Sequence, residues 1–379
     1  MKRWLIILGC LLFFSCENVQ AEEDIDQMQD IWMEEFLQET EVSRIDSILE
    51  EIFPDDAISF HDILDMLFNE EKTIPTEKIF DYISGILFDA IRTNKPALVF
   101  LFVLSLVSAL FSNFVSVFQN KQISSIGFYV VYLVMISVCL QAFQLTITEI
   151  ETSIEQLVTF MRFFSPIYFV SMAISVGSVS SIAFYNIVIF LIYIVELIIF
   201  RLLLPLVHIY LIIQILNYLS EEDIFSKCSE LIRMTVDWSV KFLIAGITGI
   251  SLVEGLLSPA IDIVKRNVLT KGVEMIPGLG DIIGGTGEML LGVAVLVKNG
   301  IGVAGAIIII AICLVPILNM TIVALLYKIL AAMIQPLAEK RFTEIIASMG
   351  EGYILLLKIE IAAAALFLIT IAVAVKAAG

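Results

Sequence analysis

An all-α, multi-pass membrane protein is the fold class this sequence predicts, and three observations predict it. Hydrophobic residues make up 59% of the 379 positions and charged residues 16%, with a mean hydropathy of +0.96, far into membrane-protein territory. Uncharged runs reach spanning length, the clearest being Ala97 to Phe118, 22 residues without a charge. Charge is also segregated. Residues 22–94 hold 21 Asp/Glu against four Lys/Arg, or −17 of the net −18. The chain therefore reads as an acidic, water-soluble segment joined to a nearly neutral membrane body.

Residues 1–21 form a signal peptide. Lys2-Arg3 is its basic start, Trp4 to Phe14 its apolar core, and Val19-Gln20-Ala21 a small-residue cleavage site, with cleavage after Ala21. Lipid attachment at Cys16, which follows Ser15, is the alternative processing. Five cysteines show no metal or redox spacing and no disulfide framework. Residues 22–94 read as a helical extracytoplasmic domain. Apolar residues recur at three- and four-residue steps (Ile45, Ile48, Leu49, Ile52), and Pro54 and Pro75 stand between such stripes. These helices either form a small bundle or keep apolar faces for a partner. Their acidity argues against nucleic acid and anionic lipid as targets.

The body follows in order. Residues 95–160 predict a two-helix membrane hairpin, Ala97 to Phe118 and Ile123 to Thr148, with Thr148 to Gln156 outside. Residues 161–260 hold a short apolar segment opened by Pro166, an overlong run from Ile182 to Leu219 containing Pro205, and a span from about Val236 to Leu257. Residues 271–376 repeat that order: a short glycine-rich segment opened by Pro277, an overlong run containing Pro316, and a last span from about Gly352 to Val375. The count is about eight membrane segments. Pro166 to Pro205 and Pro277 to Pro316 are both 39 apart, which predicts an internal repeat, inverted if the short segments span and parallel if they re-enter. The inverted arrangement places Lys265, Arg266, Lys340 and Arg341 all inside.

The most unusual stretch runs from Met275 to Ala306. Gly280, Gly284, Gly285 and Gly287 crowd behind Pro277, with Asp281 and Glu288 among them. At membrane depth such a stretch is either a broken helix lining a buried site or a packing surface for close neighbours. Ionisable residues at that depth are costly and mark functional sites. Asp281, Glu288, Glu196 and Arg201 are accordingly the candidate pore or buried polar residues, and the prolines and glycines named above are the helix-break or packing positions. No catalytic set emerges. The two histidines are far apart, no nucleophile stands beside a base, and the glycine run lacks the flanking strand of a dinucleotide site and the Gly-Lys-Ser/Thr of a P-loop. No cofactor or metal is expected.

Several features resemble one family: Pro277-x-x-Gly280, Leu296-Val297-Lys298-Asn299-Gly300-Ile301-Gly302, Pro316, Tyr327-Lys328, Gln335-Pro336, and the stretch beginning Tyr168-Phe169-Val170-Ser171. The sequence resembles the stage III sporulation protein AE family of endospore-forming bacteria. The resemblance implies a protein of the mother-cell membrane around the forespore, with its N-terminal domain in the intermembrane space. It implies membership of a multi-protein channel across the two membranes. Implied partners are other proteins of the same operon, including ring-forming proteins and an ATPase, and a forespore-side ring protein. The family has no catalytic residues to carry over. Three functions fit: the permease-like core of that channel, a stand-alone secondary transporter, and a non-conducting membrane scaffold for ring assembly.

Overall fold

The fold was read from a computed structural model that describes residues 42–52, 76–115, 121–176, 178–219, 224–246 and 280–377, with isolated positions between 59 and 67 and at 248–249. Among the described residues every regular element is a helix. In chain order they are α1 (Val42–Ile52), α2 (Thr76–Val115), α3 (Lys121–Val176), α4 (Ser178–Ile198), a π-turn (Ile199–Leu203), α5 (Leu204–Leu219), α6 (residues 226–246), α7 (Gly280–Ile334) and α8 (Lys340–Ala377).

Among the described residues, five stretches are long and apolar enough to cross a membrane: Ile83–Leu110, Tyr129–Ala173, Tyr185–Tyr218, Val297–Ile334 and Lys340–Ala372. The all-helical membrane class therefore holds, but the count of eight segments is not confirmed. The difference has a physical cause in α3. The sequence predicted a span, an outside loop and a short segment. Instead Lys121–Val176 is one helix of 56 residues, about 84 Å at 1.5 Å per residue. Glu149, Glu151 and Glu155 looked like a loop by charge. Glu is a good helix former, and no glycine or proline interrupts residues 128–165. Pro166 lies inside the helix without ending it.

The glycine stretch behaves likewise. From Gly280 onward it is helical and continues unbroken through Lys298-Asn299-Gly300 to Ile334, so no break occurs in its described part. Pro277 lies outside the described residues, as do Ala21, Cys16 and Val253 to Leu257. The internal repeat is not confirmed either. The short segment of the first half continues the helix before it, whereas that of the second half continues into the helix after it.

Pro205 does mark a local change. A proline ring clashes with the carbonyl four residues back and removes an N–H. The turn before it widens to a π-turn, in which Leu204 N–H bonds to the Ile199 carbonyl, leaving room for the ring. The run from Ser178 to Leu219 thus stays helical through α4, the π-turn and α5. At the other end, Pro336 cannot continue α7. The chain reverses there, Leu337 and Ala338 N–H both bonding to the Ile334 carbonyl at 2.9 and 2.8 Å. So short a connection sets α7 and α8 antiparallel.

The core forms where α3, α7 and α8 meet. Phe143, Tyr327 and Tyr353 are fully buried, with Tyr353 5.5 Å from Phe143 and 5.2 Å from Tyr327 between ring centres. Two glycines permit this approach. A Cβ on Gly352 would stand 2.8 Å from the Phe143 ring, and one on Gly305 would overlap Phe164. Small residues at membrane helix crossings do this generally. The N-terminal segment is not free of the body. Ile45, Leu49, Phe60 and Leu64 are buried in the same core, Phe60 meets Phe164 of α3 edge-on at 6.4 Å, and Phe60 N–H donates to Asp46 Oδ1 at 2.6 Å. Residues 22–41 of that segment lie outside the described residues.

Candidate functional site

Four polar assemblies lie among the apolar helices. The deepest is Glu360 on α8, wholly buried. One oxygen accepts the Ser153 hydroxyl of α3 at 2.7 Å, and the other has no partner among the described residues. Lys298 on α7 is also wholly buried, and its ammonium has no partner among the described residues. Glu360 lies well inside the span Lys340–Ala372, where an ionised group carries about 2.5–3.5 kcal/mol of insertion cost, whereas Lys298 lies at the start of the span Val297–Ile334; packing alone requires neither.

The second assembly is a cavity of about 350 Å³ where α2, α3 and α7 meet, lined by Asp89, Thr93, Asn94, Thr146, Glu149 and Asn319 among others. These positions follow the helix repeat: Asp89, Thr93 and Ala97 on one stripe of α2, Ala142, Thr146 and Glu149 on one stripe of α3. Asn319 donates to Glu149 across the gap at 3.4 Å.

The third and fourth assemblies are ion pairs at the flanks. Arg162 of α3 pairs with Glu196 of α4. Glu351 of α8 accepts both Lys328 of α7, at 2.9 Å, and Arg233 of α6, at 3.2 Å, while Lys358 of α8 meets Asp237 of α6 at 2.6 Å. All these side chains are between 28% and 52% exposed, so solvent or lipid headgroups reach them.

Of the sequence candidates, Glu196 is thus paired, but with Arg162 and not with Arg201. Arg201 sits exposed in the π-turn and makes no ion pair with a described residue. Asp281 and Glu288 stand seven apart in α7 on one face of its backbone; their side chains lie outside the described residues. Glu360 was missed, although a signal existed: it is the acid in the middle of the last predicted span. Lys298 stands in the sequence only among the residues that carry the family resemblance, with nothing local to mark it as buried. Ser153 carried no signal, since a lone serine gains importance only from what packs against it.

Chemically, the arrangement offers polar contacts and buried ionisable groups. Among the described residues no group of three or more His, Cys, Asp or Glu could hold a metal ion, and Cys139, Cys228 and Cys313 are free thiols.

The sequence pattern of the family described as stage III sporulation protein AE matches residues 58–378. A relative, stage III sporulation protein AE of Bacillus subtilis (strain 168), is 24% identical over 351 residues, covering 89% of this chain and 88% of that one. No solved structure matches the chain. With the family pattern spanning the whole helical body described above, the chain belongs to the stage III sporulation protein AE family.

Proposed function

We propose that this sporulation membrane protein is the permease-like core of a transenvelope complex linking mother cell and forespore. The N-terminal segment then lies in the intermembrane space, and the partners are ring-forming proteins and an ATPase of the same operon together with a forespore-side ring protein. The observation that supports a conducting core over a scaffold is Glu360, a buried carboxylate held by Ser153 of α3. A scaffold gains nothing from a charge at that depth, whereas a path for polar solutes needs polar groups inside. The chain itself performs no chemistry in this reading, so any nucleotide hydrolysis belongs to the ATPase.

The test is a pull-down from sporulating cells through a tag on the N-terminal segment, carried out in wild type and in Glu360→Gln. Recovery of ring proteins in both, with spores lost only in the variant, is the expected result. Failure to recover any ring component from wild type would instead point to a stand-alone transporter. Full spore formation in the variant would favour the scaffold.

A further inference from the structure

Along one face of α3 exposed polar positions recur for far longer than a surface turn needs, with Leu145, 62% exposed, as the apolar interruption. Ser137, Gln141, Gln144, Thr148, Glu155 and Arg162 are all exposed. Their steps of four, three, four, seven and seven place them on one side of the helix. From first to last they cover about 37 Å, more than the roughly 30 Å of a bilayer's hydrocarbon. On the same face the flanking positions turn apolar: Val130 and Leu133 before the stripe, Pro166 and Val170 after it.

Hydroxyls alone would prove little, because Ser137, Thr148 and Thr152 satisfy themselves on carbonyls four residues back and can then face lipid. Gln141, Gln144 and Glu155 cannot, and no hydrogen bond or ion pair to a described residue satisfies them.

At neighbouring depths α7 and α8 expose apolar side chains. Depth can be read across helices from Gly305 against Phe164, Glu360 against Ser153, and Asn319 against Glu149. These contacts set Ile361 of α8 beside Ile154, near the middle of the stripe, and Ile310 of α7 beside Thr159, between Glu155 and Arg162. Ile310 is 51% and Ile361 46% exposed. On α2, Asp89 and Thr93 line the cavity shared with this part of α3 and are exposed, Asn94 beside them is half-buried, and Ala90 is buried while Ile91 is 42% exposed. One flank thus suits hydrocarbon while the other, at a neighbouring depth, suits water.

We infer that the α3 stripe, extended by Asp89 and Thr93 of α2, is one wall of an aqueous passage through the membrane. Amides, hydroxyls and charges of both signs share it, so it admits small hydrophilic solutes without selecting strongly by sign. This deepens the conducting-core reading and rests on it, but is tested separately.

Single cysteines at Gln144, Thr148, Thr152 and Glu155, and at Ile310 and Ile361, are placed in a chain whose native cysteines are replaced and which still supports spores. Membranes from sporulating cells are then treated with a charged, water-soluble thiol reagent or with a lipid-soluble maleimide. A thiol in hydrocarbon hardly ionises and so resists the charged reagent. The expected result is labelling by the charged reagent at least about tenfold faster at the four stripe positions than at Ile310 and Ile361, the latter two reacting only with the maleimide. Equal reaction on both flanks would place that whole depth outside the bilayer and overturn the passage. A stripe that resists the charged reagent would show another protein surface covering it, and would overturn it too. Either failure, with ring proteins still recovered in the pull-down, leaves membership of the complex intact.

Discussion

The charges inside the bundle and those on its flanks follow opposite rules. At the flanks they come in pairs that tie one helix to the next: Arg162 with Glu196, Lys358 with Asp237, and Lys328 and Arg233 on Glu351. Inside, Lys298 and Glu360 are wholly buried, and neither has an ionic partner among the described residues. Partly exposed pairs contribute little each, about 0–1 kcal/mol, and their main effect is to fix neighbours in register. A lone buried charge opposes folding instead, and its presence is explained by use. The difference predicts which substitutions injure function and which injure only the fold.

The largest effect is expected at Glu360. Glu360→Gln keeps an acceptor for the Ser153 hydroxyl and removes the charge, so the protein should accumulate normally while spore counts fall about 100-fold or more. An unchanged spore count would erase the distinction between interior and flank. Lys298→Met comes next. It keeps the volume of the chain and removes an unpaired ammonium, and should raise unfolding stability in detergent by about 2–3 kcal/mol while lowering spore counts. A loss of stability would reveal a partner for the ammonium. At the flank, a double-mutant cycle on Lys358→Ala and Asp237→Ala should give a coupling below about 1 kcal/mol, with spores formed in all three variants. A much larger coupling would make that pair behave like an interior one. The smallest effect belongs to Lys227, whose ion pair with Glu230 three residues on is fully open to solvent. Lys227→Ala should leave the melting temperature where it was.

Much of this contrast was legible in the sequence, and the gaps have physical causes. Helices, membrane class and the Glu196 candidate follow from composition and run length, which are local properties. The partner of Glu196 is 34 residues away on α3 and depends on how α3 and α4 pack, which no spacing rule supplies. The three glutamates from Glu149 to Glu155 suggest a loop by charge, whereas their helix propensity and the absence of glycine and proline from residues 128–165 favour the continuous α3. Glu360 was overlooked for the opposite reason, since the run of alanines after it reads as an ordinary span. Asp281 and Glu288 drew attention through their glycine neighbours, and their helical placement neither gathers them with Glu196 nor sets them apart.

Phe164 sits at a junction. On one side the ring faces Phe60 of the N-terminal segment, 6.4 Å away between centres. On the other it fills the space that Gly305 leaves open on α7, and it stacks with Phe160 and Tyr168 along α3 at 5.3 and 5.8 Å. A load placed on the N-terminal segment therefore reaches α7 through the thickness of a single aromatic ring. The stacked rings of α3 act as the shaft that carries it along the long axis. Whatever grips that segment holds, in effect, a short lever on the helix that carries Lys298.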